Sequence, residues 1–101
     1  MKDMTSKKQV LETLNQFKNI YLEKYGVTAL GIFGSTARDE THEDSDIDIV
    51  VKMKKPDLFY LVHIKEELQE VYDAKVDIVR YREKMNPFLK KRIDNEAIYV
   101  W

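Results

Sequence analysis

Apolar side chains recur at Val10, Leu11, Leu14, Phe17, Ile20, Tyr21 and Tyr25, in steps of three and four. That spacing gathers them on one face of a helix, so a first helix is predicted over residues 6–25. Thr5 or Ser6 is placed to cap its start, and Gly26 stands where a left-handed residue would end it. The stripe reads as core packing rather than as a binding face. The period then changes. Residues 27–33 are a short β-branched and bulky run between Gly26 and Gly34, which predicts a buried strand. After Gly34-Ser35, residues 36–40 suffice for about one helical turn, and the polar residues 41–45 read as loop. Residues 46–53 open on Asp46-Ile47-Asp48 and form a second strand, ended by Lys54-Lys55-Pro56. Pro56-Asp57 opens a helix with apolar positions at Leu58, Leu61, Val62, Leu68, Val71 and Tyr72. Residues 75–81 alternate, with Val76 and Ile78 on one side and Asp77 and Val79 on the other, and read as a third strand. Asn86-Pro87 starts a last helix running to about Asn95, and residues 97–101 read as a short terminal strand or docked tail.

The predicted fold class is α/β (α+β): a mixed central sheet of about four strands with flanking helices, expected on one face. The pairing of the first two strands stays open. The residues between Phe33 and Asp46 barely suffice for a parallel crossover, and an antiparallel pair with a helical detour fits as well. A chain of 101 residues reads as one domain over 1–101. With 44% apolar and 35% charged residues it suits a globular protein with a heavily charged surface. The net charge of −1 offers no global attraction to nucleic acid or to an anionic membrane, so no direct nucleic-acid binding is expected. Cysteine is absent, which removes disulfides, thiolate catalysis and Cys-type zinc sites. No apolar run approaches the ~20 residues of a membrane span, and the N-terminus has no signal-peptide core, so a cytoplasmic location is expected.

The candidate chemistry lies within residues 31–51. Alternation in the second strand points Asp46 and Asp48 the same way, and Asp77 interrupts the third strand between Val76 and Ile78. Carboxylates that interrupt apolar strands are costly unless solvated or paired. Shared by a Mg²⁺ ion, they would have oxygen-ligand chemistry suited to a bound triphosphate. Asp77 taken alone reads rather as a solvated strand-end residue. Gly34 leaves room for a phosphate to approach the backbone, and Ser35 adds a hydroxyl and an N–H. A Gly-Ser pair is only a common turn until the Asp-x-Asp eleven residues after Ser35 gives it meaning. Arg38 reads either as a phosphate clamp or as an ion-pair partner of Glu40 or Asp44. His42 and His63 lack ligand spacing; the first reads as exposed, the second as packed or capping locally. Lys52, Lys54 and Lys55 read as a solvated strand end.

Gly34-Ser35-Thr36-Ala37-Arg38 followed by Ser45-Asp46-Ile47-Asp48 resembles the signature of the nucleotidyltransferase superfamily typified by DNA polymerase β. In size and wording the chain is similar to the minimal nucleotidyltransferases (MNT), the antitoxin halves of HEPN–MNT toxin–antitoxin pairs. The resemblance covers nearly the whole chain. Asp39 departs from it, since relatives often carry Gly there. The resemblance implies that Gly34, Ser35 and Arg38 hold the nucleotide and that Asp46, Asp48 and Asp77 bind Mg²⁺ and form the catalytic set. It further implies transfer of AMP from ATP to a tyrosine hydroxyl of a HEPN-type RNase toxin encoded nearby, silencing it. Transfer to a small molecule with a separate subunit, or neutralisation by binding alone, are the alternative expectations.

Overall fold

Helix α1 spans Lys7–Tyr25 because its ends are capped and one stripe is apolar. The Ser6 hydroxyl accepts from the Gln9 N–H at 3.3 Å, and Gly26, at φ 70°, closes the other end with its N–H on the Leu22 carbonyl. Val10, Leu14 and Tyr21 are fully buried, with Leu11, Phe17 and Tyr25 packed against them. Ile20 leaves the stripe and is exposed, lying about 100° around the helix from Tyr21. The computed structural model describes residues 6–39 and 46–100; the expected loop over 41–45 lies outside them, as does Trp101.

Strand β1 is Val27–Ile32, followed by the single turn of α2, Gly34–Ala37; then come β2, Ile47–Met53, and α3, Leu58–Tyr72. The chain ends with β3, Val76–Arg80, α4, Pro87–Glu96, and β4, Ile98–Tyr99. Asp57 and Asn86 cap α3 and α4, each accepting two backbone N–H groups. The sheet order is β3-β2-β1-β4. β1 runs antiparallel to β2 and β4, whereas β2 and β3 are parallel. The antiparallel alternative therefore holds for the first two strands, and the detour that joins them carries α2.

Alternation along β2 sorts the core into two layers. Ile47, Ile49 and Val51 join α1 and α3 residues such as Leu14, Ile64 and Leu68 in one cluster. Val50 joins Phe33 and Ile93 of α4 in the other, flanked by Val79, Leu89 and Tyr99. Helices thus cover both faces, which corrects the one-face expectation: α4 crosses back over the far side. In α3 the expected core positions Leu58 and Val62 are exposed, and Ile64 is buried instead. Leu61, Ile64, Leu68 and Tyr72 form the stripe that meets the core, and Val62 lies about 100° around the helix from Leu61. Among the described residues no helix is long and apolar enough to cross a membrane.

Gly31 marks where β4 joins the sheet. A Cβ there would run into the Ile98 carbonyl, so Gly31→Ala must push β4 away from β1. Loss of about 1–3 kcal/mol in a denaturant melt is expected, the usual cost of forcing atoms into a packed site. Unchanged stability would mean that β4 yields without cost.

Candidate active site

The site begins where β1 ends. Phe33 is extended, and its N–H donates to the Asp48 carbonyl at 3.1 Å. Gly34 turns the chain at φ 63°, in the left-handed region where side chains are strained. Buried Thr36 then accepts from the Asp48 N–H through Oγ1 at 3.0 Å. The turn is thus tied to β2 on both sides of one residue, Asp48. Gly34 and Ser35 are themselves the first residues of α2, so the helical turn starts two residues earlier than the predicted span.

Asp48 and Asp77 are register partners across the parallel β2–β3 pair. Both follow the alternation that sends Val50 and Val79 to the α4 layer, so their side chains share that face. Asp46 is exposed just ahead of β2, and Asp77 is exposed on β3. The Asp48 carboxyl is pushed up to about 6, first by burial, then by the charge of Asp77, with Asp46 adding to it. The Arg92 guanidinium and the Ser35 backbone N–H, which donates to the carboxylate, oppose the rise. A Cβ built on Gly34 would lie 2.5 Å from Asp48 Oδ2 and 3.3 Å from Arg92 Nη2. Gly34 therefore packs directly against the Asp48 carboxylate, with the Arg92 guanidinium beside it, and any side chain there would displace the carboxylate.

Asp46, Asp48, Asp77, Gly34 and Ser35 are brought to one end of the sheet. Arg38 is placed differently: its Nη1 meets Glu96 Oε1 of α4 at 3.0 Å, a partner the sequence did not suggest. Asp39 has φ 59°, which explains why glycine suits this position, and its Oδ1 accepts from the Lys7 N–H at 3.0 Å. Two residues at the site went unread. Thr36 is an ordinary-looking turn residue whose value lies in being buried. Arg92 stands after two lysines in a charged helix, and nothing in that pattern sets it apart. His63 is exposed rather than packed, and His42 lies outside the described residues. Lys52 is no bare strand end: its Nζ lies 4.7 Å from the Tyr81 ring centre and 5.3 Å from that of Tyr99.

A groove of about 430 Å³ lined by Tyr25, Lys54, Lys55 and Tyr60 opens at the other end of β1 and β2, away from the carboxylates. Among the described residues no three His, Asp or Glu side chains form a ready-made metal cage. The donors beside the turn are nevertheless hard oxygens whose mutual repulsion a cation would relieve, and Mg²⁺ commonly uses one or two carboxylates, completing its shell with phosphate and water.

The mixed four-stranded sheet with flanking helices matches the fold of a minimal nucleotidyltransferase. The chain belongs to the nucleotidyltransferase domain family, whose model matches residues 14–100. It is 37% identical over 98 residues to a Methanocaldococcus jannaschii protein assigned as a protein adenylyltransferase, covering 96% of this chain and 100% of the relative. A solved structure described as a minimal nucleotidyltransferase matches with a TM-score of 0.70 and 32% identity, over 87% of this chain and 93% of that one. The fold is also shared, at a TM-score of 0.62 and 23% identity, with a chain from a complex of tri-AMPylated Shewanella oneidensis HEPN toxin and MNT antitoxin. That match covers 89% of this chain and 71% of the other.

Proposed function

We propose that this chain is an Mg²⁺-dependent protein adenylyltransferase that acts as an antitoxin, moving AMP from ATP to a tyrosine hydroxyl of a HEPN-type RNase toxin. The observation that carries the reading is the pairing of Asp48 with Asp77 on one face, with the left-handed Gly34 turn packed directly against the Asp48 carboxylate. The assigned activity of the Methanocaldococcus relative supports a protein acceptor, and the AMPylated complex that shares the fold supports a HEPN toxin as that protein.

Each residue then has a task. Gly34 lets the triphosphate approach the backbone, and Ser35 offers its hydroxyl and N–H. Asp46, Asp48 and Asp77 would hold Mg²⁺, which supplies charge neutralisation and Lewis-acid activation when bound. The acceptor oxygen attacks the α-phosphorus, the bond from that phosphorus to its bridging oxygen breaks, and pyrophosphate leaves. The hydroxyl proton passes to Asp77, which lies exposed beside Asp48 and open to an incoming residue. The acceptor must be held roughly 3–3.5 Å from phosphorus for in-line attack, a task suited to a docked partner.

The test is mass spectrometry of the partner toxin incubated with this chain, ATP and Mg²⁺. Addition of AMP is expected, and chelation of the metal should stop it. Asp77→Asn should cut transfer at least 100-fold, the usual order for losing a general base, while ATP binding falls far less. A partner that is silenced yet carries no AMP would overturn the reading in favour of neutralisation by contact.

A further inference from the structure

We infer that Arg92 grips the terminal phosphates of the nucleotide and makes the site select a triphosphate over a monophosphate; this rests on reading the Gly34 turn as the nucleotide site. Two charged groups stand directly against the Gly34 turn. Asp48 Oδ2 lies 2.5 Å and Arg92 Nη2 3.3 Å from where a Cβ would stand. A phosphate held at this turn would lie within reach of that guanidinium.

Charge makes the contact necessary. Asp46, Asp48 and Asp77 crowd this end of the sheet, and a polyphosphate adds several more negative charges. A fixed cation beside the turn counters that field, and a guanidinium presents a planar fork matched to phosphate oxygens. Arg38, the arginine inside the sequence motif, is engaged by Glu96 at 3.0 Å.

Tertiary packing places Arg92. Ile93, next to Arg92, is 1% exposed and pins α4 on Phe33 and Val50. Glu96 follows Arg92 by one helical turn, so the two lie along the same side of α4. The ion pair that engages Arg38 therefore also ties α4 to α2 and holds Arg92 over Gly34.

The experiment measures binding of ATP and of AMP to the full chain with Mg²⁺, for wild type, Arg92→Ala and Arg92→Lys. Losing a charged hydrogen-bonding pair weakens binding by roughly ten- to a hundredfold. Arg92→Ala is expected to lower ATP affinity by that factor and to leave AMP affinity within about twofold. Arg92→Lys should recover part of the loss, because the charge remains and only the fork is gone. Equal losses for ATP and AMP would mean that Arg92 only supports the fold, and unchanged ATP affinity would remove it from the site; either overturns the inference. Gly34→Val measured alongside separates the two readings. If it abolishes ATP binding while Arg92→Ala does not, the nucleotide site stands and Arg92 is excluded. If wild type binds ATP no better than AMP, the inference fails whatever the variants do.

Discussion

Asp48→Asn should abolish transfer and yet melt higher than wild type at pH 7.5. The residue is held where a charge is disfavoured: burial, Asp77 and Asp46 together raise its carboxyl from 3.8 to about 6. The folded chain thus binds that proton more tightly than the unfolded chain. Stability from this group is fully present below about 3.8 and is lost as pH rises through about 6. Wild type at neutral pH therefore carries an ionised carboxylate that opposes folding, and asparagine cannot ionise. Asp48 is only half-buried, and solvent screens much of the effect, so a gain of about 1 kcal/mol is expected rather than the whole shift. Thermal melts at several pH values should show the advantage shrinking through pH 6 and vanishing near pH 4. A variant no more stable than wild type at pH 7.5 would show that Arg92 and the Ser35 N–H already offset the crowding. Retained transfer would remove Asp48 from the chemistry. A site residue that opposes the fold is the usual sign of a position kept for function.

Gly34→Val should weaken ATP binding more than tenfold and lower stability as well, by about 1–2 kcal/mol, the cost of a side chain held in left-handed backbone. Two effects act at once. The φ of 63° strains a β-branched residue, and the new Cβ falls 2.5 Å from Asp48 Oδ2, so the carboxylate must leave its place. The Cβ alone suffices for the clash, so Gly34→Ala should lose most of the same ATP affinity. Equilibrium binding of ATP and thermal melts of both variants check this. Wild-type affinity in either would mean that phosphate does not pass over this glycine.

By itself the sequence determined the elements and singled out most of the side chains that the structure brings together at one end of the sheet. Steps of three and four gave α1 its buried face, apart from Ile20, and alternation gave β2 and β3 their two sides. The spacing from Gly34-Ser35 to Asp46 and Asp48 marked the site because a turn and a strand are local, and local geometry is written in neighbouring residues. Four matters were decided only in three dimensions. The direction of β2 against β1 depended on a connection whose length allows both pairings. The crossing of α4 to the far face depended on Ile93, Leu89 and Val50 finding one another. The partner of Arg38 proved to be Glu96, brought in by that crossing. Arg92 reaches the Gly34 turn by the same route. Nothing in a charged helix says which of its cations will face a site, since that follows from how the helix packs, and packing is a property of the whole chain.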